Sequence, residues 1–184
     1  MVRRVRVDGD ADLALHGDPA AARPAAAPLG RTLLALYDQA FDHRAWHGTT
    51  LAGSLRGVTA AEALWRPRPR RHNIWEIVLH TAYWKYVVRR RLTQDPELVF
   101  AREGSNWFAP PARRDERAWR RDVALLKQEH RLLRGTIARF PPARLGRRAW
   151  RSHWTNLATI LGIASHDLYH AGQIQLIKRL RRAD

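Results

Sequence analysis

A chain of 184 residues is long enough for one domain with a substantial core and short for two. Cysteine is absent, which excludes disulfides, thiolate metal sites and Cys nucleophiles, so any metal must be held by His, Asp or Glu. The net charge of +16 invites a nucleic-acid reading. However, 30 of the 33 basic residues are Arg in an Ala-rich chain, as GC-rich coding produces, and they are spread from Arg3 to Arg182. That distribution reads as a solvated basic surface with no specific nucleic-acid partner. Binding to duplex DNA is expected to be weak, insensitive to sequence and largely lost by physiological salt; nanomolar, sequence-selective binding at that salt would overturn this view.

Residues 1 to 29 mix Arg, Asp, Gly, Ala and Pro without periodicity, and Pro19, Pro24 and Pro28 break any helix there, so the segment reads as a flexible leader. Met1 to Val7 is basic, but no apolar run of signal-peptide length follows it. No stretch anywhere approaches the ~18 apolar residues of a membrane span, so a soluble, cytoplasmic protein is expected. The domain proper is taken as residues 30 to 184.

Four helices are expected within it. The first runs from about Arg31 to Arg56 on Leu33, Leu34, Tyr37, Phe41, Leu51 and Leu55, with Gly48 and Gly53 marking a bend or a close contact. The second runs from Asn73 to about Thr93; Asn73 with Glu76 three residues on forms a capping-box pair. The third, Glu116 to Phe140, carries Trp119, Val123, Leu126, His130, Leu133, Ile137 and Phe140 at alternating steps of four and three and stops at Pro141-Pro142. The fourth runs from near Thr155 to about Arg182. No strand-like alternation appears. The expected fold is all-α, an antiparallel up-and-down four-helix bundle with a metal site between helices and a long crossing over residues 97 to 114.

The chemistry concentrates in the fourth helix, at His166-Asp167-Leu168-Tyr169-His170. Histidines four apart lie one turn apart on one helix face, ~5–6 Å between Cβ atoms, and two such imidazoles can reach one ion. Asn156, Thr159, Ile163, His166, His170, Gln173 and Ile177 form one stripe, so the pair faces the bundle interior. The zincin pattern is not met: Asp167 stands where Glu is required, and residues 171 to 184 contain no further His or Glu. A third ligand must come from upstream. His80, in the core-facing stripe of Asn73, Ile77 and Trp84, is the candidate, because a buried imidazole without a partner costs on the order of 1–3 kcal/mol. His130 on the third-helix seam and His47 in Trp46-His47-Gly48 are candidates to line the site or orient its ligands, as are Tyr83, Asp167 and Gln173. His16, His43, His72 and His153 read as surface or loop residues. Three neutral imidazoles with open positions suit a divalent transition metal, Zn, Ni or Fe, without choosing among them.

These residues resemble the DinB-like superfamily of damage-inducible, YfiT-type metalloenzymes. The resemblance is carried by Asn73-Ile-Trp-Glu-Ile-Val-Leu-His80-Thr-Ala-Tyr-Trp84 and Leu161-Gly-Ile-Ala-Ser-His166-Asp-Leu-Tyr-His170-Ala-Gly-Gln-Ile174. Trp46-His47-Gly48 and Gly104-Ser-Asn-Trp-Phe108 look like positions of one subgroup. The similarity spans roughly residues 31 to 182. It implies a four-helix bundle with a three-histidine site in which His80 matches the ligand of the second helix and His166 and His170 the pair of the last. Some relatives are transferases or isomerases that use low-molecular-weight thiols. The expectation is a metal-dependent enzyme of thiol-dependent transferase or hydrolase type, acting on a small-molecule substrate with a thiol as cosubstrate. Two alternatives stand beside it: a non-catalytic metal-binding bundle used in stress response or as a homodimer, and a nucleic-acid binder driven by the Arg excess. The catalytic residues themselves are not readable from the sequence.

Overall fold

The computed structural model describes residues 29–183; the expected leader lies outside the described residues except for Leu29, which opens the first helix. Every described element is helical: α1 Leu29–Phe41, α2 Leu51–Ser54, α3 Ala60–Leu64, α4 Ile74–Thr93, α5 Glu116–Ala138 and α6 Asn156–Ala183, with one 3-10 turn at Pro142–Arg144. Extended pairing among the described residues is limited to a single bridge between Arg148 and Thr155, just ahead of α6. No helix of the described residues is long and apolar enough to cross a membrane.

The starts of the long helices follow their caps. Asn73 accepts from the Glu76 amide while Glu76 reaches back to the Asn73 amide, a complete capping box that fixes the register of α4. Asp115 accepts from the Ala118 amide at the head of α5. The expected first helix is corrected: α1 ends at Phe41, and the chain to Arg56 is a loop followed by the short α2. The Asp38 carbonyl takes both the Asp42 and His43 amides, Gly48 adopts a left-handed φ of 99°, and Thr50 caps a new helix through the Gly53 amide. Gly48 therefore marks a break in the helix, since a left-handed residue cannot continue an α-helix. The α3 helix was not expected, although Thr59 and Glu62 form a capping box that announces it.

The four long helices touch in a cycle: α1 packs on α6 and α5, and α4 packs on α5 and α6. The apolar interior divides into two clusters. One gathers Trp75, Trp119, Leu79, Leu126 and Ile174; the other Leu33, Leu92, Leu133, Ile160 and Ile163. Each buried indole finds an acceptor, as an interior N–H must. Trp75 donates to Asp122 Oδ2 at 2.8 Å and Trp119 to the Val58 carbonyl at 2.7 Å.

An ion pair lies inside this core. Lys85 of α4 and Asp167 of α6 are both 0% exposed and hydrogen-bonded to one another. Lys85 Nζ also lies 3.3 Å from the Tyr37 hydroxyl and 4.7 and 4.9 Å from the centres of the Tyr37 and Phe41 rings. Burial pulls the ammonium down and pushes the carboxyl up, to about 6, against the attraction between the two. Removing one member leaves the other buried and unpaired, which costs ~3–5 kcal/mol, whereas removing both is far less costly. Lys85→Met alone is expected to destabilise by that amount in chemical denaturation. The double variant Lys85→Met/Asp167→Asn should be more stable than the two single effects added together predict; strict additivity would show that the pair is not coupled.

Candidate metal centre

His80 on α4 and His166 and His170 on α6 converge where these two helices pack. One ligand atom from each lies within 4.8 Å of the others. His166 Nε2 is 3.1 Å from both His80 Nε2 and His170 Nε2. Two nitrogens each ~2.0–2.1 Å from a tetrahedral ion stand about 3.3 Å apart, so the spacing suits a shared cation. His80 is 6% and His170 2% exposed, while His166 is half-buried.

The far nitrogens show which way the lone pairs point. His80 Nδ1 lies 2.9 Å from the Asn106 carbonyl, which can only accept, so Nδ1 donates and Nε2 is the bare nitrogen. His170 Nδ1 lies 2.7 Å from Gln173 Oε1. The amide end of Gln173 donates to the Tyr169 hydroxyl at 2.9 Å, which places the amide oxygen toward the imidazole. Hence His170 Nε2 is bare as well. Two lone pairs fixed on one point, with a third imidazole nitrogen beside them, form a donor set for a cation and a poor hydrogen-bond cluster by themselves. His166 Nδ1 is buried without a partner among the described residues.

Burial acts on all three rings, disfavouring the charged form. It lowers His80, brings His166 to about 3 with help from its two neighbours, and brings His170 to about 4, where the Gln173 bond partly opposes it. The cluster is thus neutral across the physiological range, as metal ligation requires.

The crossing between α4 and α5 completes the site. Asn106 holds a left-handed φ of 62°, a conformation Asn tolerates better than most residues. With its carbonyl on His80, its side-chain oxygen accepts from Trp84 Nε1 at 3.0 Å. The next residue, Trp107, stacks on His80 at 3.9 Å between ring centres and on His72 at 3.5 Å. His72 is in turn 3.2 Å from Glu76 of the α4 capping box. A cavity of about 1130 Å³ opens over the cluster, lined by Trp65, Trp107, Tyr169 and Gln173 among others. That size suits a small molecule.

A family model described as the DinB superfamily matches residues 43–174. The chain belongs to the DinB superfamily. No match was found among curated proteins or among solved structures. Membership and the three-histidine cluster are together compatible with a divalent metal site in this DinB-superfamily chain.

The remaining candidates separate cleanly. Gln173 touches His170, as its position on the helix stripe suggests. Asp167 faces away from the cluster, because one residue's step on a helix turns it by about 100° toward Lys85. Tyr83 packs among Trp84, Tyr86, Phe100 and Phe108 and does not line the cavity. His130 is sandwiched between Tyr37 and Phe41, at 4.5 and 3.7 Å between ring centres, and burial brings it to about 2. His47 is exposed and lines a separate surface pocket with Thr49 and Leu168. In turn, Asn106, Trp107, Trp84 and His72 belong to the site without having been assigned a role in it. The Gly104-Ser-Asn-Trp-Phe108 resemblance was the one signal for the first two.

Orienting groups typically carry 10- to 100-fold of a site's metal affinity. Gln173→Ala is expected to weaken zinc binding in that range with little change in folding, because Gln173 is partly exposed and bonds only to His170 and Tyr169 side chains. Competition with a chromophoric chelator measures it, and an unchanged affinity would remove Gln173 from the site.

Proposed function

We propose that this DinB-superfamily chain is a metal-dependent enzyme, of thiol-dependent transferase or hydrolase type, with His80, His166 and His170 as the ligands of one divalent transition ion. The arrangement this reading takes is the antiparallel up-and-down bundle, which the cyclic packing of α1, α5, α4 and α6 supports. A single observation carries it: three neutral imidazoles, two of them with the bare nitrogen fixed by a bond on the far side, meet at the floor of an open cavity. A divalent ion in such a site supplies Lewis acidity that polarises a substrate oxygen or acidifies a thiol or water.

The chain's own residues do the rest. Asn106 and Gln173 hold the tautomers of His80 and His170. Trp107 lies flat on His80 and covers one face of its ring. Tyr169 is 63% exposed at the cavity wall and accepts from Gln173, so its own proton is free to be donated to a ligand in the cavity.

The test is elemental analysis of purified protein, followed by turnover on thiol-transfer and hydrolysis panels with and without chelator. Activity that disappears with chelator and returns with metal is expected, with Tyr169→Phe lowering kcat at unchanged metal content. Bound metal that resists chelator and shows no open coordination position after cobalt substitution would mark the site as structural and end the enzyme reading.

A further inference from the structure

The outer face of α6 is unusual for so basic a chain. From Asn156 to Ile177 its one charged side chain is Asp167, and that is buried against Lys85. By contrast, α5 presents Arg117, Arg120, Arg121, Lys127 and Arg131 to solvent, as an amphipathic helix ordinarily does. On α6, Tyr169, Leu176 and Leu180 stand outward instead, between 43% and 63% exposed. Steps of seven and then four residues put the three on one side of the helix.

All three line the cavity over the histidine cluster, together with Trp65, Pro67 and Trp107. Buried Ile77, one turn of α4 before His80, continues the apolar lining toward the cluster. No Asp or Glu lines this cavity among the described residues, and its two arginines, Arg68 and Arg71, are exposed and so solvated. With Trp107, four of the eleven large apolar side chains left exposed among the described residues thus gather at one cavity. Exposed apolar residues scattered singly are ordinary, whereas a set gathered on a concave wall marks a binding site. A flat contact with a second copy would leave the inner apolar lining unexplained; a ligand entering the cavity covers rim and wall together.

We propose that the ligand of this site is a small molecule with an uncharged apolar body of up to about ten carbons, which lies along α6 from the histidine cluster to Leu180 with a polar head at the cluster. The length follows from the helix, since the step from His170 to Leu180 rises roughly 15 Å. This names the substrate class of the proposed metal site and rests on that reading for the head alone. Recognition of the body belongs to Tyr169, Leu176, Leu180 and Trp107.

The test titrates two straight-chain series calorimetrically into zinc-loaded and chelator-treated protein: hydroxamates from butyro- to dodecanohydroxamate, and alkanols from butanol to decanol, all below their micelle concentrations. In both series affinity should rise roughly two- to fourfold per added methylene and level off at about ten carbons, and zinc should tighten the hydroxamates only. Leu176→Gln/Leu180→Gln should flatten the dependence for the longer members. Butyrohydroxamate affinity, zinc content and the circular dichroism spectrum should not change, because both leucines are exposed on a helix. Leu161→Gln, an exposed α6 leucine outside the cavity, should leave the dependence as it was. A chain-length dependence that is absent, or that survives Leu176→Gln/Leu180→Gln, would overturn the proposal, as would a dimer in sedimentation velocity that this variant splits. Chain-length-dependent binding of alkanols by a protein that takes up no zinc would sink the metal reading and leave this one standing.

Discussion

Replacing any one of His80, His166 or His170 with Ala is expected to raise the dissociation constant for zinc more than a hundredfold. Structural zinc sites of four ligands release ~10–16 kcal/mol on binding, or about 3 kcal/mol per ligand, and each 1.4 kcal/mol is a factor of ten. The three replacements should not be equivalent. His80 and His170 lose a nitrogen already aimed by Asn106 and Gln173, whereas His166 loses the nitrogen that lies 3.1 Å from both others. His166→Ala removes the nitrogen beside both others, so the His80–His170 pair that remains should hold the ion only weakly. His43, exposed and paired with Asp42, is the control, and its replacement should leave metal content unchanged. Equilibrium dialysis with elemental analysis reads the result, and circular dichroism separates ligand loss from misfolding. Full occupancy in a folded variant of any of the three would remove that residue from the ligand set.

How much of this was legible in the sequence follows the range over which each feature is determined. The His166–His170 pair is a local fact, since helical spacing alone puts both on one face. His80 was legible because the Asn73–Glu76 capping box fixes where α4 starts, and the start fixes which residues turn inward. The helices α4, α5 and α6 lie where their caps and apolar periods put them. The expected continuous helix over residues 31 to 56 failed because apolar spacing persists across Gly48, while the backbone there turns left-handed. Asn106 and Trp107 could not be assigned from pattern, because a crossing has no period and its contact with His80 spans 26 residues of chain. Nor could the Lys85–Asp167 pair. Asp167 next to a candidate ligand reads as an orienting carboxylate, and only the packing of α4 on α6 shows that it turns to a buried ammonium. His130 has the seam spacing of a site residue, yet aromatic neighbours from α1, absent from any local pattern, enclose it.

Acidification is expected to destabilise the metal-free protein progressively from about pH 6.5 downward. His130 at about 2, His166 at about 3 and His170 at about 4, with His80 also lowered, are neutral in the folded state but titrate near ~6.5 once unfolded. A base whose folded pKa is depressed contributes stability that is complete above its unfolded value and is lost as pH falls toward the folded one. All four act in the same direction from about pH 6.5 downward. Asp167, raised to about 6, acts oppositely: its contribution is lost as pH rises through that value, so between ~4 and 6 it offsets one histidine. The three histidines brought to about 4 or below, less Asp167, give a net of two protons, roughly 3 kcal/mol per pH unit, with His80 adding in the same direction, against a total stability of ~5–15 kcal/mol for a typical domain. The unfolding midpoint should accordingly lie at or below about pH 5, lower the more stable the domain is at neutral pH. The same shifts separate two routes by which metal could leave. If free imidazoles controlled it, zinc would depart near pH 6.5 from a folded protein. Because the folded ligands resist protonation, zinc loss should instead coincide with unfolding, and saturating zinc should move both transitions to lower pH together. Circular dichroism and a zinc-responsive dye followed through one acid titration decide between these. His130→Leu, which removes one of the titrating bases without touching the cluster, should lower the acid midpoint; an unchanged midpoint, or zinc release that precedes unfolding by a full pH unit, would refute this account.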